Sequence, residues 1–267
     1  MNYELICHKV VDLSKLVGNY IKEQQQIIKS DNIESKSNHD FVTYVDKTSE
    51  QMLVKGLSDI LPESGFIVEE NTSDKKGEVY NWIVDPLDGT TNFINKISPF
   101  AISIALVENK ETVMGVVYEI SLDECFCAYK GSKAFLNGKE IKVSSKSNFS
   151  NSLIATGFPF QDYSRINNYL ESLKFFMLET SGIRRLGSAA TDLAYIACGR
   201  FDAFYEYSLK PWDVAAGAFI VEQAGGVVSE FNGGYNYVNN RTIIAANPNL
   251  YKKVLDKLQV LFKIEKN

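Results

Sequence analysis

The stretch Trp82-Ile83-Val84-Asp85-Pro86-Leu87-Asp88-Gly89-Thr90-Thr91-Asn92-Phe93 constrains this chain more than any other. An apolar run delivers two carboxylates, three positions apart, into a Gly-Thr turn. Asp85 closes what reads as a buried strand, Pro86 removes a backbone donor and stiffens the exit, and Gly89 supplies the backbone freedom of a tight turn. Carboxylates held in this way suit a hard divalent cation such as Mg²⁺, which takes oxygen ligands, keeps several waters and is commonly shared with a phosphate. The same letters also spell an ordinary polar turn. Two further acidic positions shift the balance. Glu69 and Glu70 end the apolar run Gly65-Phe66-Ile67-Val68, and Lys210-Pro211-Trp212-Asp213 opens an Ala/Gly-rich helical segment.

With 267 residues, 45% of them hydrophobic, the chain can bury a sizeable core. Its 28 basic and 33 acidic residues give a net charge of −5, which argues against a general nucleic-acid or anionic-membrane surface. A small-molecule substrate is the expected partner, with no nucleic acid and no membrane. No apolar run reaches the ~20 residues of a membrane span, and Met1-Asn2-Tyr3-Glu4-Leu5 lacks the basic and apolar regions of a signal peptide, so a cytoplasmic location is expected. Four cysteines without C-x-x-C spacing and only two histidines, His8 and His39, argue against a zinc site. Cys125 and Cys127 share a strand face, and buried free thiols are expected there.

Apolar residues at Leu5, Ile6, Val10, Leu13, Leu16, Val17, Tyr20 and Ile21 predict a long amphipathic helix. A polar stretch from Ser30 to Asp40 follows. Thr48-Ser49-Glu50-Gln51 then reads as a capping box opening a second helix that ends at Pro62. Short strand-like runs fill the region from Phe66 to Val143, with Asn137-Gly138 as a type I′ hairpin signal. The Ser-rich run 144–152 is the most linker-like segment, placing a boundary between lobes 1–146 and 147–267 of one compact unit. Beyond it, strands alternate with helices: Leu153 to Thr156, a helix near Tyr169 to Leu178, a helix from Ser188 with Gly199 past its end, and a strand at Phe201 to Tyr205. A helix opened by Pro211, strands at Val227-Val228 and Thr242 to Ala245, and a last helix capped by Asn247-Pro248 complete the chain. This alternation indicates α/β layering.

The ordered set of motifs resembles the inositol monophosphatase family. One signature of that family is Asp-Pro-hydrophobic-Asp-Gly-Thr-x-Asn, matched by Asp85 to Asn92. The other is Trp-Asp-x-Ala-x-Gly followed by Ala-Gly-Gly, matched by Trp212 to Gly217 and by Ala224-Gly225-Gly226. Lys36 with Asp46, Glu69-Glu70, Gly187-Ser188-Ala189-Ala190 and Tyr205-Glu206 fall in the family's order, so the resemblance spans nearly the whole chain. It implies a five-layer α-β-α-β-α sandwich, a homodimer, and Mg²⁺-dependent phosphatase activity with two or three ions. Mn²⁺ would substitute, and Ca²⁺ and Li⁺ would inhibit.

The resemblance also carries residue roles. Glu69, Asp85, Asp88 and Asp213 would hold the metals, with the carbonyl of Leu87 as a further ligand. Asp46 and Thr90 would polarise the attacking water, and Glu69 would share in catalysis. Asp88, Gly89, Thr90, Gly187, Ser188, Ala189, Glu206 and Asp213 would contact the substrate. Arg184 and Arg185 are read as structural or interface residues. Physically, Gly89 and Thr90 precede a predicted helix whose N–H groups can receive a phosphate oxygen. The leading substrate is myo-inositol monophosphate. Fructose 1,6-bisphosphate, 3′-phosphoadenosine 5′-phosphate, histidinol phosphate and NADP are alternatives, and a non-catalytic scaffold of the same fold is a reading of another class.

Overall fold

The computed structural model describes residues 1–28, 33–37, 40–159 and 162–264. Helix α1 (Tyr3–Ile27) is capped by Asn2, whose side chain accepts from Leu5 N, and buries the stripe Cys7, Val10, Ser14, Val17, Gly18 and Ile21. Spacings of three and four put that stripe on one face. The polar stretch that follows contributes an antiparallel pair, β1 (Ile33–Ser37) and β2 (Asp40–Thr43). No apolar alternation marks Ile33-Glu34-Ser35-Lys36-Ser37, which is why pattern alone reads it as a connection. The side chains of Lys36 and His39 lie outside the described residues.

Helix α2 (Tyr44–Ile60) begins four residues before the predicted capping box. Its cap is Thr43, whose hydroxyl accepts from Val45 N at 3.0 Å, while Asp46 at the third helical position reaches back to the Thr43 N–H at 2.8 Å. Ser49 and Glu50 are therefore buried second-turn residues, not a helix start.

A seven-stranded sheet runs in the order β3-β4-β5-β6-β7-β8-β9, where β3 is Gly65–Val68, β4 Tyr80–Asp88, β5 Ala101–Glu108, β6 Glu111–Glu119, β7 Glu124–Tyr129, β8 Ala134–Leu136 and β9 Lys139–Ile141. Only β3 and β4 are parallel. Asn137 (φ 47°) and Gly138 (φ 78°) turn β8 into β9 with both central residues left-handed, as a type I′ hairpin requires. Strand β4 does not end at Asp85. It continues through Pro86 to Asp88, with a register irregularity against β5 between Asp85 and Asp88, where a residue lacking an N–H costs no ladder bond. Helix α3 (Thr90–Ile94) follows directly.

The second sheet has the order β11-β10-β12-β14-β13, with β10 Leu153–Thr156, β11 Gly182–Arg184, β12 Ala203–Tyr207, β13 Val227–Ser229 and β14 Thr242–Ala246. Strands β10, β11 and β12 are parallel, and β14 is antiparallel to β12 and β13. Helices α5 (Ala189–Ala197) and α6 (Pro211–Gln223) lie between the two sheets; every residue of α5 but Tyr195 is buried, and α6 is buried without a break from Val214 to Val221, as helices covered on all sides must be. Helices α1 and α2 cover the far face of the first sheet; α4 (Ile166–Glu179) and α7 (Pro248–Leu261) cover that of the second. The result is the α-β-α-β-α sandwich. Its middle seam is tight: a Cβ on Gly115 of β6 would sit 2.5 Å from the carbonyl oxygen of Ala216 in α6.

Successive β4 side chains feed two different cores. Trp82 and Val84 join the α1/α2 core and Ile83 the α5/α6 core. Burial on both faces explains the unbroken apolar run that leads to Asp85.

Candidate active site

A cavity of about 460 Å³ opens where the ends of β4 and β12 meet the starts of α3, α5 and α6. Glu69, Asp85, Leu87, Asp88, Gly89, Thr90, Gly187, Ser188, Ala189, Glu206 and Asp213 all line it. Of the residues to which the resemblance assigns a metal, catalytic or substrate role, Asp46 alone is not on its wall. It lies one hydrogen bond behind, since Thr90 Oγ1 contacts Asp46 Oδ1 at 2.9 Å.

Asp46 is doubly used. Its Oδ2 accepts from Thr43 N (2.8 Å) and from Thr43 Oγ1 (2.6 Å), which leaves Oδ1 for Thr90. Burial pushes its carboxyl above the usual range, and the bonds from Thr43 and Thr90 pull it back. Thr90 Oγ1 also approaches the Leu87 carbonyl at 3.0 Å. A hydroxyl has one hydrogen, so its lone pairs remain available to a donor in the cavity.

Asp85 is 2% exposed, and its Oδ1 accepts from Leu87 N at 3.0 Å. Burial first, then Glu69, Asp88 and Asp213, raise its carboxyl well above the ordinary range, and it shares a hydrogen bond with Glu69. Asp88 is raised to about 6 by burial, opposed by Ser188, Ala190 and Arg185. Its Oδ2 accepts from Ser188 Oγ (2.7 Å) and Ala190 N (2.8 Å), tying the end of β4 to the first turn of α5. Asp213 stands at the third position of α6, where Oδ2 accepts from Lys210 N at 2.7 Å; burial and then Asp88 raise it well above the ordinary range. Glu206 lies within β12, one residue past the predicted strand end, and is raised by burial and Asp213 and held down by Arg185. Its carboxyl fits because residue 157 is glycine: a Cβ there would come within 2.1 Å of it.

Among the described residues, no group of three or more His, Cys, Asp or Glu side chains is closed into a metal-ligand set. Asp88 and Asp213 each give an oxygen to a backbone N–H, and Asp85 and Glu69 share a hydrogen bond. Like charges brought together in a buried place take up such partners. The donor chemistry nonetheless fits a hard cation: four carboxylates and the Leu87 backbone line one cavity, and their mutual repulsion is what a positive charge among them would relieve.

Sequence reasoning missed several residues. Asp192 lines the cavity four residues after Ser188, on the same face of α5, and helical spacing would have found it. Arg185, read as structural, also lines the cavity, with its guanidinium 5.1 Å from the centre of the Phe158 ring. Arg184 bonds instead to the carbonyl of Ile183. Asn92 Nδ2 donates to Pro99 O (2.7 Å) and Leu186 O (2.8 Å), holding the Gly187 turn beside the Asp85–Gly89 turn. Buried Glu50 accepts from Glu70 N (2.7 Å), Thr72 N (2.8 Å) and Thr72 Oγ1 (2.8 Å), and so fixes the loop that carries Glu69. The cysteines are free thiols; Cys7 and Cys125 are buried, whereas Cys127, expected to be buried with Cys125, is half-buried.

Residues 4–261 match the inositol monophosphatase family. The chain belongs to that family. It is 38% identical over 250 residues to the Nus factor SuhB of Escherichia coli (strain K12), covering 93% of this chain and 94% of that protein. The crystal structure of the extragenic suppressor protein suhB from Bartonella henselae superimposes with a TM-score of 0.90 at 37% identity, covering 96% of this chain and 98% of that one. An IMPase of Thermotoga maritima follows with a TM-score of 0.87 at 32% identity, covering 95% and 96%. Because the Escherichia coli relative bears the name of a Nus factor, the comparisons give no backing to the expectation that nucleic acid and macromolecular partners are excluded. No described helix is long and apolar enough to cross a membrane.

Proposed function

We propose that this protein hydrolyses a small phosphate monoester, with myo-inositol monophosphate as the first substrate to test, in a Mg²⁺-dependent reaction. One observation carries the reading: the Thr90–Asp46 pair opens onto a cavity lined by four carboxylates from distant parts of the chain. Glu69, Asp85, Asp88, Asp213 and the Leu87 carbonyl would hold the cations, which when bound neutralise phosphoryl oxygens and lower the pKa of water. Thr90 accepts a hydrogen bond from the attacking water and passes its own proton toward Asp46 Oδ1, while Thr43 keeps Asp46 Oδ2 occupied. Glu69, hydrogen-bonded to Asp85, lines the same cavity as Thr90 and would share in activating the water. Gly89, Gly187, Ser188, Ala189 and Glu206 shape the space for the ester.

The family adds the finer expectations of Li⁺ and Ca²⁺ inhibition, a homodimer and a cytoplasmic location. The division into lobes 1–146 and 147–267 stays part of this proposal, with Glu69, Asp85 and Asp88 in the first and Glu206 and Asp213 in the second. Phosphate release from myo-inositol monophosphate, with Mg²⁺ and then with chelator, tests the proposal. Release that survives chelation, or no release from any ester, defeats it. A second reading, a regulatory role without turnover, is favoured by the name of the Escherichia coli relative, and the absence of release from every ester would support it.

A further inference from the structure

Beyond the four carboxylates assigned above to cations, two more acidic side chains line the cavity: Glu206 and Asp192. Glu206 belongs to the set expected from the family. Asp192 belongs to none. It is 1% exposed, sits on the inner side of the first turns of α5, and its Oδ1 is buried without any hydrogen-bond partner. Buried polar atoms are nearly always partnered, and a lone one on a cavity wall marks a place where something else supplies the partner. The carboxylate torsion is broad, so rotation about χ2 can present either oxygen to the cavity at little cost.

Resting on the phosphatase reading, we propose that Asp192 binds a hydroxyl of the leaving group, and that together with Glu206 it selects a neutral polyhydroxylated alcohol. The chemistry of the wall narrows the choice. Burial, then Glu206 and Asp88, push the Asp192 carboxyl well above the ordinary carboxylate range; a carboxylate only accepts and a protonated carboxyl also donates, so the partner that serves either form is a hydroxyl, which can donate and accept. A second phosphate on the substrate would meet two buried carboxylates there, against one cation among the described lining residues, Arg185, which is exposed and stacked on Phe158. That disfavours bisphosphates and nucleotide phosphates. An ammonium group, which only donates, would suit bare carboxylates, but burial favours the neutral form of both carboxyls, and Arg185 is near enough to each to counter this only in part. Neutral hydroxyl donors remain. The two carboxylates come from different elements, α5 and β12, so they can grip two hydroxyls of one ring from separate directions.

The test compares Asp192→Asn, which keeps the shape and replaces one acceptor by a donor, with wild type on three esters: myo-inositol 1-phosphate, phenyl phosphate, which has no hydroxyl to read, and histidinol phosphate, which carries an ammonium. The expected result is a fall of at least about tenfold in kcat/KM for the inositol ester, seen mainly in KM, with phenyl phosphate unchanged; tenfold is near the low end of what one hydrogen bond to a charged group carries. An equal fall on both esters would reduce Asp192 to a structural residue, and no fall on either would remove it from the site. Wild-type preference for histidinol phosphate would overturn the neutral-polyol assignment. Binding separates this idea from the one beneath it. If wild type releases no phosphate from any ester, the hydrolase reading fails, and calorimetry then decides Asp192 alone: D192N must lose affinity for myo-inositol 1-phosphate but not for inorganic phosphate, and parallel affinities would overturn the proposal. Asp192→Ala, which removes the carboxyl outright, should show the same selectivity.

Discussion

Thr43→Val tests whether the cap of α2 and the water-polarising pair are one device. Valine matches threonine in shape but has no hydroxyl. Two bonds vanish at once: Val45 N loses its acceptor at 3.0 Å, and Asp46 Oδ2 loses a donor at 2.6 Å. Loss of an N-cap costs about 0.5–2 kcal/mol, and loss of a hydrogen bond to a charged group about 1.5–3 kcal/mol. Because one hydroxyl makes both, and Thr43 N still donates to Asp46 Oδ2, the sum is discounted to about 3 kcal/mol. For a chain of this size each kcal/mol moves the melting midpoint by about 2–4 °C, so the expected fall is roughly 6–12 °C by calorimetry.

The same substitution should reach the chemistry. The Thr43 bonds hold the Asp46 carboxyl down against burial, so their loss moves Asp46 further upward and shifts the acid limb of the kcat profile to higher pH. KM should stay near wild type. Thr43→Ser should restore both stability and profile. A midpoint within about 2 °C of wild type, or a stability loss of the expected size with kcat and its pH profile untouched, would refute the linkage.

Asp88→Asn should abolish phosphate release while the protein stays folded; near-normal rates would remove Asp88 from the cation set. In chelator the same variant should gain stability over wild type as pH rises from about 4 to about 7. Asp88 is raised to about 6, so what a protonated Asp88 contributes is complete below its unfolded pKa of about 3.9 and is lost as pH rises through about 6. A constant difference between the two across that window would contradict this. Thr90→Ala should lower kcat by about tenfold or more with little change in KM, the pattern of a group acting on the water, and an effect confined to KM would contradict that role. Gly157→Ala would bring a methyl within 2.1 Å of the Glu206 carboxyl and displace it, raising KM for hydroxylated esters more than for phenyl phosphate; an unchanged ratio would show that Glu206 does not read the leaving group.

Local signals were legible where neighbouring residues settle the structure among themselves. Ser188 caps α5 by accepting from Thr191 N, and Gly199 (φ 76°) ends that helix, as the pattern predicted. Asn137-Gly138 sets its hairpin in the same self-contained way. Signals failed where a distant partner decides. Thr48-Ser49-Glu50-Gln51 has the letters of a helix start, but Glu50 faces Glu70 and Thr72 across the fold, and the true cap at Thr43 is coupled to Thr90, 47 residues on. Strand β11 is three residues at a sheet edge, formed by parallel pairing with β10 alone, too short to show a period. The carboxylates stand out because each ends an apolar run or opens a helix. Glu50 lies inside a helix, where only packing makes a buried acid meaningful, and Asp192 is marked in the sequence only by its i, i+4 spacing from Ser188.

The central claim is that Glu69, Asp85, Asp88 and Asp213 are gathered to hold divalent cations. Crystals grown in saturating Mn²⁺ and measured at its absorption edge test it most directly. Anomalous peaks bounded by those four carboxylates and the Leu87 carbonyl, and lost in Asp85→Asn, are the expected result. A cavity without anomalous density, in crystals whose Mn²⁺ binds elsewhere, would contradict it.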